Sequence, residues 1–353
     1  MKNKISLLVI MILALTSGKV FPQEPYRIGT TAANFLEIGY GGIATGMGDA
    51  YVSVTTGDLS SIYWNPASLG YRDNNQAFVS VQPWYVGINA NMAGFGYTDP
   101  TLGTFAGSII IMDYGQEEVT TVSNPTGTGE KFDGMDLSFS LSYGKRLAEW
   151  FSFGVTAKYI SSQIWHETAS ALAIDLGAIV NTKFLAWSDK PGDGLNIGMS
   201  ISNYGTTLTY DGIDLKQSVD IKPDENGNFA DIPARYELTG WELPLIFRLG
   251  VSFYPYKSEY HNLQIAVDAL HPNNNSESVN VGAQYTLSIP SYGDVFVRGG
   301  YKGLFMTESQ YGVSFGFGVN IKMFGNQSIN FDYAYRTHEV LGNLNSYSIG
   351  YSF

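Results

Sequence analysis

The chain has 353 residues, a formal net charge of -12, a pI near 4.7, 15% charged residues, 40 Gly, 24 Tyr, 20 Phe and a mean hydropathy of -0.04. It forms no basic stripe, which argues against nucleic acid as a partner, and its lack of cysteine excludes a lipoprotein anchor, disulfides and Cys-based metal or nucleophile sites. No internal apolar run reaches the roughly 18 residues that cross a bilayer as a helix, whereas a tilted strand needs about ten residues of alternating character.

At the N-terminus, Lys2 and Lys4 precede an apolar stretch from Ile5 to Leu15 and then the small residues Thr16, Ser17 and Gly18. This is the pattern of a cleaved export signal over 1–23, with cleavage between Gly18 and Gln23. As a membrane anchor the stretch is too short. The next segment, 24–75, lacks strand alternation. Its glycines at 39, 41, 42, 46 and 48 permit close backbone packing. They include Gly39-x-Gly41-x-x-Ala44, a weak dinucleotide fingerprint, but no buried strand precedes it and no βαβ unit follows, so no nucleotide cofactor is expected. Further on, Asn65-Pro66-Ala67 reads as a rigid turn. Pro66 fixes its own backbone and restricts Asn65, whose amide can bond nearby backbone groups.

From residue 76 onward, large apolar residues alternate with Gly, Ser, Asn or charge, the period-2 signature of strands. Val313, Phe315, Phe317 and Val319 alternate with Ser314, Gly316, Gly318 and Asn320, and Leu245, Phe247, Leu249, Val251 and Phe253 do the same around Arg248, Gly250 and Ser252. The pattern predicts fourteen strands: 76–82, 89–98, 103–113, 134–144, 150–163, 170–181, 194–204, 243–255, 261–270, 277–288, 294–301, 310–322, 327–336 and 345–353. One such strand would also suit a soluble sandwich. Fourteen of the same sense predict an all-β protein, a transmembrane antiparallel β-barrel over 76–353 in outer-membrane lipid.

An even count places both barrel ends on the periplasmic side and predicts short turns alternating with longer extracellular loops. The connections 114–133 and 205–242 are long and polar, and 182–193 is longer than a periplasmic turn should be. The alternation puts Lys158, Asp175, Arg248, Asp268, Arg298, Lys322, Asp332 and Arg336 on the lumen face, where charges are expected to pair with each other, bond the segment before the barrel, or line a substrate path. Phe35, Leu36, Ile43, Met47 and Phe296 could supply an apolar pocket.

The final strand carries Tyr347, Ile349, Tyr351 and Phe353 on one face and Ser346, Ser348, Gly350 and Ser352 on the other. Tyr351 and the terminal Phe353 match the signal read by the barrel-assembly machinery of bacterial outer membranes. An enzyme is not expected. His166, His261, His271 and His338 fall at strand ends or in loops with no recurrent serine spacing, and the loop acids, Asp189, Asp193 and those over 211–231, lack the spacing of a calcium motif.

Gly46-Met47-Gly48, then Ala50-Tyr51-Val52, Asp58 and Tyr63-Trp64-Asn65-Pro66-Ala67, resemble the N-terminal region of the PorV/PorQ family of FadL-like outer-membrane barrels. The resemblance continues through Arg248-Leu249-Gly250-Val251, Ala266-Val267-Asp268, Arg298-Gly299-Gly300-Tyr301 and Asp332-Tyr333-Ala334-Tyr335. It implies a fourteen-stranded barrel with residues 24–75 folded inside as a hatch that includes Gly46, Met47, Gly48, Asn65, Pro66 and Ala67. It also implies one of two functions. The first is a component or substrate shuttle of the type IX secretion system, with secretion subunits and the C-terminal domains of cargo as partners. The second is a FadL-like channel that takes up a hydrophobic small molecule through the lumen and a lateral opening.

Overall fold

A computed structural model describes residues 27–56, 58–188, 193–225, 231–340 and 342–353. The export signal expected over 1–23 lies outside the described residues. Seventeen strands follow in chain order: β1 (Gln76–Pro83), β2 (Asn89–Asp99), β3 (Gly103–Glu118), β4 (Lys131–Ala148), β5 (Phe151–Ile164), β6 (Glu167–Asn181), β7 (Asn196–Gly205), β8 (Asp211–Gly212), β9 (Lys216–Val219), β10 (Ile232–Arg235), β11 (Ile246–Lys257), β12 (His261–Pro272), β13 (Ser278–Ile289), β14 (Gly293–Leu304), β15 (Tyr311–Lys322), β16 (Ser328–His338) and β17 (Leu344–Ser352). Three of them, β8 to β10, belong to one loop. The other fourteen close an antiparallel barrel: β1 pairs with β17 to join first strand to last, and β5–β6 and β7–β11 complete the circuit.

Burial along the wall is inverted relative to a water-soluble protein. On β15 the exposed positions are Val313, Phe315 and Phe317, while Ser314, Gly316 and Gly318 are buried. Similarly, Ser138, Ser140 and Ser142 on β4 are buried while Phe139 and Leu141 face outward. A fold that exposes its aromatics and buries its serines gains nothing in water. In lipid it satisfies the hydrophobic effect outside and the hydrogen-bonding groups inside.

Strand existence and sense agree with the alternation, and the differences are at the strand ends. At the long-loop end β3 runs five residues and β4 three residues past their expected limits, and Val119 N–H continues the hairpin to Glu130 O at 2.9 Å. That extension is polar, so no apolar alternation marks it. A bulge between Asp113 and Gln116 with Gly115 at φ 77° also breaks its period. The unusually long connection 182–195 does lie at the short-turn end. It is pinned by Thr182 N–H to Leu195 O at 3.0 Å and by the Trp187 indole N–H to Tyr254 O at 2.6 Å.

The chain before β1 runs along the inside of this wall. It contains 3-10 turns at Asn34–Glu37, Leu59–Tyr63 and Pro66–Tyr71 and a one-turn α-helix at Gly42–Gly46. Phe35, Leu36, Tyr40, Met47, Tyr51, Leu59 and Trp64 in this segment are all buried and supply most of the hydrophobic core.

Candidate functional site

The site is the contact between this internal segment and the wall, and it starts from the smallest side chains. An added Cβ would overlap the Pro66 carbonyl at Gly154, the Asn65 amide at Gly177, the Val52 carbonyl at Gly198, and the Met47 backbone at both Gly282 and Gly300. At these positions the small lumen face lets the internal segment lie directly on the wall.

Asn65 is fully buried and makes three bonds. Its Oδ1 accepts from Ala67 N–H at 3.0 Å, capping the 3-10 turn that opens with Pro66. Its Nδ2 donates to Val52 O at 2.8 Å within the segment and to Ala178 O at 3.2 Å on β6. The residue ties the turn to its own segment and to the wall together. Gly46 sits against β14 and β15, where its Cα faces the Gly316 backbone, Met47 sits against β13 and β14, and Gly48 adopts φ 64° with no room for a side chain against Tyr301.

Charges supply the second set of ties. Asp49, 1% exposed, pairs with Arg336 of β16 and with Lys302 of β14 at 2.8 Å. Asp268 of β12 accepts the backbone N–H groups of Tyr51 at 2.6 Å and Val52 at 2.9 Å. Arg298 pairs with Asp332 at 2.6 Å, and Lys158 with Asp175 at 2.6 Å. Arg248 donates to Ser202 Oγ at 2.8 Å and lies 5.6 Å above the Trp64 ring. Seven of the eight charges on the lumen face are buried in these contacts. Lys322 is not among them: as the last residue of β15 it stands exposed at the short-turn rim, because the strand has left the lumen by that point.

Sequence reasoning missed Asp49 and Lys302. Lys302 shares the parity of Arg298 and Gly300 and was legible as lumenal had β14 been carried to Leu304. Asp49, in an irregular segment, has no periodicity to reveal it. Of the apolar candidates, Phe35, Leu36, Ile43 and Met47 join one core, while Phe296 is half-buried beneath Arg298, whose guanidinium carbon is 4.8 Å from its ring centroid.

Burial also perturbs the segment's own ionisable groups. It raises the Asp58 and Glu37 carboxyls, with Ser60 and Asn274 bonds opposing, and it lowers Arg72 to about 10 against the pull of Asp58 and Asp73. The histidines lie in dispersed pairs: His166 with Asp214 at 3.1 Å, His271 with Glu277 at 3.1 Å, His261 with Tyr285 at 2.7 Å, and His338 beside Tyr85 and Tyr311. Among the described residues no three metal-ligating side chains cluster. Tyr351 and Phe353 face outward and stack at 5.4 Å beside the β1–β17 seam, where Phe353 N–H bonds Asn75 O at 3.0 Å.

Residues 21–221 match the family described as type IX secretion system protein PorV. The chain belongs to the PorV family. Like that family it is an outer-membrane protein, and its barrel is of the FadL-like kind. The fold is shared with solved channels of low identity. The CymD monoaromatic hydrocarbon channel is similar with a TM-score of 0.56 at 9% identity, over 89% of this chain and 97% of that one. The toluene transporter TbuX of Ralstonia pickettii gives 0.54 at 12% identity over 89% and 98%. The toluene transporter TodX of Pseudomonas putida gives 0.53 at 13% identity over 89% and 96%. No curated protein matches this PorV-family chain.

Above these contacts, a cleft of about 560 Å³ opens at the long-loop end between residues 29–35 and the upper parts of β3, β4 and β5. Phe35, Tyr114, Phe132, Ile164 and Trp241 line it, and the Tyr114 hydroxyl donates to Asp136 at 2.6 Å in its wall.

Proposed function

We propose that this PorV-family barrel is a type IX secretion component that acts as a docking body at the cell surface, with residues 27–72 as a fixed hatch. The reading rests on the filled lumen. Asn65 and the Asp49, Asp268 and glycine contacts hold the segment at many points along the wall, and each wall strand is hydrogen-bonded to both neighbours. A conduit would have to break buried ion pairs, at a cost of about 3–5 kcal/mol for each charge left unpaired. Docking needs only the outer loops. The loop 206–245 offers exposed Tyr236, Leu238 and Trp241 among carboxylates. Deletion of the gene should strand exported proteins in the periplasm with their C-terminal domains uncleaved, and a copy lacking residues 213–236 should fail to restore export while still assembling. Intact export in the deletion strain would remove this reading.

The cleft favours a second function. Its aromatic lining suits a small apolar molecule, so uptake of such a compound is the competing reading. Deletion should then impair growth on the compound and leave export untouched.

A further inference from the structure

The cleft between residues 29–35 and β3 to β5 holds more than an apolar lining. Five aromatic side chains, Phe35, Tyr114, Phe132, Tyr210 and Trp241, line it together with a carboxylate, Asp136 of β4, that is 7% exposed. Asp136 forms no ion pair among the described residues, and no Lys, Arg or His stands among those that line the cleft. A second carboxylate in the lining, Glu117, is exposed and likewise outside these ion pairs. Arg27, two residues before the lining begins, is already paired with Glu242 at 2.7 Å.

The hydrogen bonds set what this wall can offer a ligand. As a carboxylate, Asp136 only accepts, so the Tyr114 hydroxyl donates to its Oδ2 at 2.6 Å and the Ser162 hydroxyl donates to its Oδ1. With the Ser162 hydrogen committed, the Tyr210 hydroxyl, 2.6 Å from Ser162 Oγ, must donate to that oxygen. All three hydroxyl hydrogens are spent on the Asp136 network, which leaves the cleft only oxygen lone pairs. A neutral hydrocarbon seated here would strip water from Asp136 and return neither charge nor donor. An ammonium ion returns both, and the aromatic rings attract it through their negative faces. Among the described residues no three metal-ligating side chains cluster, so a divalent ion lacks the ligands it needs. At about 560 Å³ the cleft also has room for an apolar substituent. We infer that it binds a small primary ammonium ion carrying an aromatic or short alkyl group, a ligand class that rests on the uptake reading and gives it a substrate.

The test uses the intact barrel in a nonionic detergent at a pH of about 7, where a primary ammonium keeps its proton. Phenethylammonium and its neutral isostere 2-phenylethanol are compared by isothermal titration calorimetry. The ammonium should bind at least about tenfold more tightly, and Asp136→Asn should remove that advantage while leaving the alcohol unchanged. Trp241→Leu keeps apolar surface but removes a π face, so it should weaken the ammonium about threefold or more and spare the alcohol. Glu308→Gln, on the β14–β15 loop at the same end, controls for the diffuse acidic field and should shift both affinities by less than about twofold. Heat-modifiable migration verifies that each variant is folded, and Trp241→Leu carries the test if Asp136→Asn does not assemble. Equal binding of the two compounds, or an ammonium advantage that outlasts a folded Asp136→Asn, overturns the inference. Uptake of both labelled compounds is measured separately in cells with and without the gene. Ammonium binding without gene-dependent uptake sinks only the uptake reading, and gene-dependent uptake of the alcohol with no ammonium preference sinks only this inference.

Discussion

Asn65 shows how one side chain can carry a tertiary contact that no strand pattern specifies. Replacing it with alanine removes three bonds and leaves Val52 O and Ala67 N–H buried without partners, so Asn65→Ala should destabilise hatch docking by about 2–4 kcal/mol. Hydrogen exchange of the 51–72 amides, faster in the variant while the wall amides stay protected, is the check. Asp49→Asn belongs to the same class. It leaves the buried Arg336 and Lys302 facing a neutral amide, and a loss of about 3–5 kcal/mol is expected in detergent melts. Asp58 contributes with the opposite sign. Burial raises its docked pKa above the value of about 4 it has in the open chain. Docking is therefore favoured most below that open-chain value, and the contribution is lost as pH rises through the raised one, when the docked carboxyl must ionise out of water. Hatch protection should fall as pH rises above that open-chain value, and Asp58→Asn should flatten that slope.

At the level of elements, the wall glycines matter because of what lies against them. Gly154 on β5 and Gly177 on β6 are cross-strand partners, and both meet the Asn65-Pro66-Ala67 turn. Gly154→Val should leave barrel assembly intact, judged by heat-modifiable migration in gels, yet displace the hatch at a cost of about 1–3 kcal/mol. The strands themselves were legible from alternation, since each side chain faces lipid or lumen and the two faces require opposite chemistry. The polar upper ends of β3 and β4 were not. Above the membrane neither face is apolar, so the period that reveals a strand disappears while its hydrogen bonds continue. Lumenal charge was legible for the same reason as the strands, and Lys322 marks where that logic stops, at the rim.

For the whole molecule, the decisive balance is between a filled interior and a greasy exterior. The protein reconstituted in planar bilayers should show no steady conductance, and removing residues 27–72 should open one. A wild-type barrel that conducts would show that the hatch leaves a path. The acidic loop end and the apolar belt also predict that extraction requires detergent and not salt, because the belt is held by area and not by charge.

By itself the sequence determined the membrane class, the strand number, which face of each strand meets lipid, and the family features gathered in its N-terminal segment. These follow from period-2 alternation and local turn chemistry, which are properties of neighbouring residues. Only the tertiary structure decided that Asp49 joins Arg336 and Lys302 and that the wall glycines receive the Asn65 turn. Those contacts join residues far apart in the chain, many of them in irregular segments, and no local period records them.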